Sequence, residues 1–246
     1  MTTRLTSALV TGASAGIGTA TVRALTGAGI KTWAMARRAD RLEALAAETA
    51  CLPLVADVQD GPGLEAALAD VDADILINNA GLGAGITGLM GASRDDLDRT
   101  IGTNVTALLD VTRLVLPGMA ERGRGHIVNI GSVAGLYPIN SAVYGGSKGA
   151  VHLISQNLRL ELRGTGVRVT EINPGRVATE FMDVAVPPGA DFPAKTPITE
   201  LTSDDIAAAI LYAVQAPAHV NVSMIELQPT EQTFGATQFD PLDWPD

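Results

Sequence analysis

Tyr144 and Lys148 stand four residues apart in the sequence YGGSK, which opens a stretch of helical periodicity. Residues four apart lie on one face of a helix, so the phenol and the ammonium are expected to be neighbours. An unperturbed tyrosine has a pKa of about 10, and a nearby ammonium lowers that pKa by stabilising the phenolate. The pair therefore indicates a tyrosine that can give or take a proton near neutral pH.

The segment Thr11–Gly18, TGASAGIG, has almost no side-chain bulk and follows the apolar run at 8–10. At the start of a helix, free backbone N–H groups and the helix dipole favour an anion. The segment is not a P-loop, because no lysine follows the glycines, and its spacing departs from the usual G-x-G-x-x-G. It predicts a phosphate cradle; the alternative is a simple flexible turn. Its candidate residues are Gly12, Ser14, Gly16, Ile17 and Gly18.

Arg37 and Arg38 end the second apolar run, where many dinucleotide sites carry an acid for a ribose hydroxyl. Ala36 is neutral there, and the arginine side chain offers a fork of donors that suits a phosphate. The pair favours NADP(H) over NAD(H). The alternative is a solvated pair at a helix entrance.

The rest of the chain alternates between β-rich and helical segments. We predict strands at 7–10, 31–35, 52–55, 73–77, 126–130, 167–172 and 223–227. We predict helices at 16–28, 41–49, 62–69, 94–122, 144–163 and 203–215, with Asp40 capping the second. This pattern indicates βαβ units. We expect a single Rossmann-type α/β domain over 1–246, a doubly wound parallel sheet of about seven strands with helices on both faces.

Segment 180–202 breaks this pattern, with four prolines and no clear period. Long irregular segments in compact domains are often functional, so we expect a substrate loop that is mobile and becomes ordered when ligands bind.

Composition excludes several classes of protein. A net charge of −10 argues against a nucleic-acid or anionic membrane surface. We expect neither a signal peptide nor a membrane span. The single cysteine, Cys51, fits a reducing cytoplasm, and the histidines are too scattered to predict a metal site.

Further motifs occur in a fixed order: NNAG at 78–81, Asn104 in GTNV, Ser132 after a strand, YGGSK, and NPG at 173–175. Together with Thr11–Gly18, this set resembles the short-chain dehydrogenase/reductase family over nearly the whole chain. The segments 216–222 and 226–232 resemble the NADP-dependent serine and 3-hydroxy acid dehydrogenase branch.

The resemblance implies roles for four residues. Tyr144 is the expected acid/base, Ser132 binds the substrate oxygen, Lys148 also holds the nicotinamide ribose, and Asn104 holds a water that connects Lys148 to solvent. Further expected cofactor contacts are Asp57, Val58, Asn79, Ala80, Gly81, Pro174, Gly175, Val177 and Thr179.

We therefore expect an NADP(H)-dependent oxidoreductase that interconverts a carbonyl group and a secondary alcohol of a small molecule. Candidate substrates are 3-hydroxy acids, β-hydroxy amino acids and small ketones. The alternatives are an NAD-dependent alcohol dehydrogenase and a dinucleotide-binding regulatory protein without turnover. The resemblance also implies a homotetramer with contacts through 94–122 and 144–163.

Overall fold

The computed structural model describes residues 5–186, 189, 198–233 and 238–243. Within them, seven parallel strands form one sheet in the order β3-β2-β1-β4-β5-β6-β7. The strands are β1 (Ser7–Thr11), β2 (Lys31–Ala36), β3 (Leu52–Val55), β4 (Ile75–Asn78), β5 (Gly125–Ile130), β6 (Val167–Pro174) and β7 (Met224–Leu227). The predicted sheet is confirmed.

Helices cover both faces of the sheet. They are α1 (Gly16–Gly27), α2 (Ala39–Thr49), α3 (Gly61–Leu68), α4 (Arg94–Ile101), α5 (Ala107–Glu121), α6 (Val133–Leu136), α7 (Ala142–Glu161), α8 (Phe181–Ala185) and α9 (Ser203–Gln215). Successive residues of β1 join opposite cores, because side chains alternate along a strand. Val10 packs in one core with Val22 of α1 and Ile210 of α9. Leu9 packs in the other core with Val115 of α5.

The segment 94–122 is two helices rather than the single one predicted. A wider π-helical turn, Gly102–Thr106, joins α4 to α5 and contains the buried Asn104. Such turns occur mostly at functional sites, because the extra residue changes the direction of a side chain.

The predicted cap of α2 by Asp40 is wrong. The helix begins at Ala39 with Arg38 at the N-cap, and no side-chain hydrogen bond caps it. Asp40 lies in the first turn, where its charge interacts favourably with the helix dipole.

The predicted substrate loop, 180–202, is only partly described. It contains α8, and Leu201 pairs with Val177 as an isolated parallel bridge. Residues 187, 188 and 190–197, including the four prolines, lie outside the described residues.

Among the helices of the described ranges, none is long and apolar enough to cross a bilayer. In the same part of the chain, no group of three His, Cys, Asp or Glu side chains could hold a metal ion.

Candidate active site

The candidate residues lie along the carboxyl edge of the sheet, around the boundary between β1 and β4. Strand order reverses there, since the chain leaves β3 at one edge and returns as β4 beside β1. In open α/β sheets, ligands bind in the crevice at such a reversal. The sheet therefore brings the glycine segment, the NNAG motif and the YGGSK motif to one edge.

The glycine segment forms a tight turn between β1 and α1. Gly12 and Gly16 have φ values of 66° and 50°, which disfavour other residues. A Cβ on Gly12 would lie 2.9 Å from the Cα of Ala80. Ala15, at the N-cap of α1, forms no side-chain hydrogen bond with the first turn. This turn of small residues at the start of a helix fits a pyrophosphate.

Asn79, Ala80 and Gly81 form a turn that is fixed to the end of β1. Thr11 Oγ1 accepts hydrogen bonds from the main-chain N of Asn79 and Ala80, at 3.0 and 2.9 Å. The Asn79 side chain donates to the main-chain oxygens of Thr11 and Gly12. The NNAG motif thus holds the shape of the glycine turn.

Three arginines surround the glycine turn. Arg38 Nε donates to Ser14 Oγ at 3.0 Å, which places this guanidinium against the turn. Arg41, which sequence reasoning missed, lies beside it, and both pair with Glu180 at 3.3 and 2.9 Å. These arginines lower the pKa of Glu180 through hydrogen bonds. Their donors suit a phosphate as well as a carboxylate.

Arg37 points to the other side of the turn. Its side chain is 77% exposed and lies 3.6 Å from Asp57. Arg37 and Asp57 line a cleft of about 330 Å³ together with Val55, Ala56, Asp60 and Gly63. The cleft lies at the expected adenine position. Val58 lies next to Thr11 and Ala80 around a smaller cavity.

Tyr144 and Lys148 occupy the first two turns of α7. Ser141 caps this helix and accepts a hydrogen bond from Tyr144 N. The Tyr144 ring lies 5.4 Å from the ring of Phe181, which begins α8. Lys148 is buried and donates to Ile130 O at 2.7 Å. The predicted pair therefore lies on one helix face, below α8.

Ser132 begins α6, directly after β5. Its Oγ accepts from Ala134 N at 3.1 Å, donates to Pro174 O at 3.5 Å, and lies close enough to Tyr144 to lower the pKa of the phenol. Its main-chain N donates to Asn173 Oδ1 at 2.9 Å. The hydroxyl and the phenol are therefore adjacent, and both can face the oxygen of one substrate.

The pKa values of the pair in the protein alone are determined mainly by burial. Burial raises the pKa of Tyr144, and the nearby Ser132 hydroxyl only partly opposes this. Burial also lowers the pKa of Lys148, to about 8, against the opposing charge of Glu171. In this chain alone, Tyr144 is therefore a neutral phenol at pH 7, so a further positive charge is needed to stabilise its phenolate.

Asn104 joins the turn at Leu82 to α7. Its Oδ1 accepts from Leu82 N at 2.7 Å, and its Nδ2 donates to Leu82 O and Ser147 Oγ. Because both N–H donors are used, a water between Asn104 and Lys148 would have to donate to Oδ1 or to the main-chain carbonyl oxygen. The expected water-holding role stays a prediction.

The segment after β6 covers the glycine turn from the other side. Gly175 N donates to Leu227 O at 2.7 Å, so Pro174 and Gly175 lie beside the carboxyl end of β7. Val177 pairs with Leu201. A Cβ on Gly16 would lie 3.1 Å from Thr179 Cγ2, so Thr179 lies against the glycine turn. The described candidate residues therefore surround one crevice.

Sequence reasoning missed Arg41, Phe181, Glu171 and His152. Arg41 carried a usable signal, because it is three residues after Arg38 and shares its helix face. The others could be found only from the fold, since their partners are distant in sequence.

The comparisons with known proteins agree with this geometry. The family described as short chain dehydrogenase matches residues 6–187. The chain is 43% identical to the NADP-dependent 3-hydroxy acid dehydrogenase of Salmonella typhi, covering 92% of this chain and 96% of that protein. It is 39% identical to the serine 3-dehydrogenase of Agrobacterium fabrum, covering 94% and 96%. A solved closed form of serine dehydrogenase complexed with NADP+ matches with a TM-score of 0.88 and 38% identity, covering 96% of this chain and all of that one.

Proposed function

Since the chain belongs to the short-chain dehydrogenase/reductase family, we propose that it is an NADP(H)-dependent oxidoreductase interconverting a carbonyl group and a secondary alcohol. The observation that carries the proposal is the adjacency of Tyr144, Ser132 and Lys148 beside a phosphate cradle of small residues. Its relatives act, by their names, on 3-hydroxy acids and serine. We accordingly propose small 3-hydroxy acids, β-hydroxy amino acids or related ketones as substrates.

Proton transfer, substrate positioning and ribose binding are assigned to different residues of this chain. The cofactor, when bound, supplies or accepts the hydride. Tyr144 donates a proton to the carbonyl oxygen in reduction, and its phenolate accepts one from the alcohol in oxidation. Ser132 donates a hydrogen bond to the same oxygen and fixes its position. The ammonium of Lys148, on the same helix face, stabilises the phenolate and holds the ribose.

The phosphate end of the crevice supports NADP(H) over NAD(H). Arg38 is held at the turn by Ser14, and Arg41 lies beside it. The guanidinium groups can release the carboxylate of Glu180 and bind a 2′-phosphate instead, or they can donate hydrogen bonds to both anions. Arg37 and Asp57 line the cleft that is proposed to bind the adenine.

A change in NADPH absorbance tests the activity directly in either direction. Its gain with L-serine and 3-hydroxypropionate, primary alcohols that oxidise to aldehydes, and its loss with neutral ketones together cover the proposed substrates. The Tyr144→Phe variant should lose roughly 10²–10⁴-fold in turnover, because the ionisable oxygen is removed. Tyr212→Phe is the matched control, since Tyr212 is exposed on α9. Near wild-type turnover in Tyr144→Phe would refute Tyr144 as the acid/base. No turnover of the wild type with any compound tested would favour a regulatory protein.

Segment 180–202 is proposed as the substrate loop of the single NADP-binding domain that spans 1–246. Its first residues support this role, because Phe181 lies against Tyr144 and Glu180 binds Arg38 and Arg41. A loop that closes should gain hydrogen-exchange protection at 180–202 when NADPH and substrate bind. Equal protection in both states would count against it.

A homotetramer is proposed as the working assembly. Large apolar side chains are exposed on the predicted contact helices: Ile101 on α4, Leu109 on α5, and Leu153 and Leu160 on α7. Sedimentation of the wild type and of Leu109→Glu tests this contact, and a monomeric wild type would refute it.

The buried, unpaired Cys51 fits a reducing compartment, and we propose the cytoplasm.

A further inference from the structure

A buried carboxylate lies behind the candidate active site. Glu171, on β6, is fully buried. Its Oε2 is 2.7 Å from Nδ1 of His152, while Oε1 has no hydrogen-bond partner within the described residues. A buried carboxylate is costly unless it is paired with donors or an opposite charge. One imidazole leaves half of this group unsatisfied, so a further positive charge is expected nearby.

Lys148 is that charge. It lies one helical turn before His152 on α7, so both side chains leave the same helix face. Lys148 Nζ is bound to the main-chain oxygen of Ile130, and the next residue is Gly131. A Cβ on Gly131 would lie 2.7 Å from Glu171 Oε1. The free carboxylate oxygen therefore reaches the backbone beside the lysine's own acceptor, and its charge raises the pKa of Lys148 against burial.

We propose that Glu171, held in place by His152, is a positioning residue that keeps Lys148 in its charged form from behind the active site. This inference rests on the proposed function, in which the Lys148 ammonium stabilises the Tyr144 phenolate. Glu171 touches neither substrate nor cofactor, and it acts only through the lysine.

The hydrogen bonds of His152 are consistent with a negative Glu171. Nε2 of His152 lies 2.7 Å from Nε2 of Gln156, one turn further along α7. With this orientation of the amide, Gln156 donates to His152, and His152 carries its proton on Nδ1 and donates it to Glu171. The imidazole therefore satisfies one carboxylate oxygen and leaves Oε1 directed towards the backbone beside Lys148.

The charged groups on the elements packed against Glu171 have partners of their own. On β7, Glu226 lies opposite Asn173 in the sheet and binds Tyr137 and Gln228. On α7, Arg159 donates to the main-chain oxygen of Ser223, the same oxygen that accepts from Glu171 N. Asn129 on β5 is neutral and binds Ser155. The residues of α6 are uncharged, and α9 packs on the opposite face of the sheet. Tyr144 lies one turn before Lys148 on α7, whereas His152 lies one turn after it.

The titration of Lys148 tests the proposal without any turnover. The chain has three lysines, Lys31, Lys148 and Lys195, so a cofactor-free sample with ¹³C-labelled lysine gives few side-chain signals. Lys31→Arg and Lys195→Arg identify them. In Glu171→Gln, Lys148 should titrate about one pH unit lower than in the wild type, because a nearby negative charge is lost. Glu65→Gln is the matched control, since Glu65 is exposed and pairs with Arg113.

Two variants of His152 make the test independent of how well Glu171→Gln folds. Glutamine at 152 keeps an N–H donor that holds Glu171 in place, whereas leucine removes that donor, so the carboxylate is no longer held beside Lys148. Lys148 should therefore titrate lower in His152→Leu than in His152→Gln. An unchanged Lys148 titration in folded Glu171→Gln overturns the proposal, as does equal titration in the two His152 variants. A shifted titration in a protein without turnover would instead refute the proposed function alone.

Discussion

The Nζ atom of Lys148 lies 2.7 Å from the main-chain oxygen of Ile130, at the carboxyl end of β5. Only 6% of Lys148 is exposed, and burial lowers its pKa from 10.5 to about 8. Between pH 8 and pH 10, the unfolded chain therefore holds a proton at this lysine that the native chain has lost. The free energy of unfolding therefore rises with pH across that window. Below pH 8 the lysine is charged in the native chain, and the full energetic cost of burying this charge lowers the stability.

The free energy of unfolding of the wild type should consequently rise by about 1–3 kcal/mol relative to that of Lys148→Met between pH 7 and pH 9.5. The reason is that the wild-type lysine loses its buried charge in this range, whereas methionine has none to lose. Urea unfolding of both proteins at pH 7 and pH 9.5 measures this change. Lys31→Met is the control, since Lys31 lies over the Trp33 ring at the surface. A difference between wild type and Lys148→Met that is the same at both pH values would contradict the prediction.

Arg38 should determine most of the preference for a phosphorylated cofactor. Its guanidinium is held by Ser14 at the glycine turn, whereas Arg37 is 77% exposed. A charge-assisted hydrogen bond contributes about 1.5–3 kcal/mol. After allowance for solvent, Arg38→Ala should weaken NADPH binding about tenfold or more and leave NADH binding nearly unchanged. Fluorescence titration with both cofactors measures this.

Arg37→Ala is the matched control for that experiment, because it removes the same charge one residue earlier. Its effect on NADPH should be several-fold smaller. Equal losses in the two variants would mean that net charge, rather than the position of Arg38, governs binding.

The parts of the fold that the sequence predicts are those encoded by local patterns. Strands β1 and β4 are continuous apolar runs, as expected when both faces of a sheet are buried. The glycine turn is also readable, because residues such as Gly12 need a backbone conformation that other residues disfavour. The YGGSK motif works similarly, since helical spacing alone places Tyr144 beside Lys148.

The rest depends on contacts between distant segments. Arg38 and Glu180 are 142 residues apart, so no local pattern indicates their pairing. The side chain of Asn104 is directed towards Leu82 and Ser147 by a wider helical turn, which has no sequence signature in this chain. The contact of Tyr144 with Phe181 of α8 likewise joins distant segments, and burial raises the pKa of the phenol in the protein alone.

Gly12→Ala should destabilise the protein and abolish NADPH binding. Its φ of 66° is unfavourable for alanine, and the new Cβ would lie 2.9 Å from the Cα of Ala80. Gly29→Ala separates the two causes, because Gly29 has a φ of 77° but no heavy atom within 4 Å of the added Cβ. Gly29→Ala should cost about 1–2 kcal/mol from backbone strain alone and bind NADPH normally. Similar unfolding free energies and similar NADPH affinities in the two variants would refute a close approach at Gly12.

Gly146 and Gly145 should respond in opposite directions to alanine, although they are neighbours in α7. An added Cβ on Gly146 meets nothing within 4 Å, so Gly146→Ala gains only helix propensity. We expect it to raise the free energy of unfolding by about 1 kcal/mol. A Cβ on Gly145 would lie 3.3 Å from both Ala134 O and Ile139 Cγ1, which belong to the packed segment of α6 and its following loop. Gly145→Ala should therefore gain nothing or lose stability, because backbone must move to admit the methyl group.

Thermal and urea unfolding of both variants measures the difference. Equal stabilisation would show that α6 moves freely enough to admit a side chain, and equal destabilisation would show that Gly146 has a contact beyond the single chain, such as a neighbouring subunit.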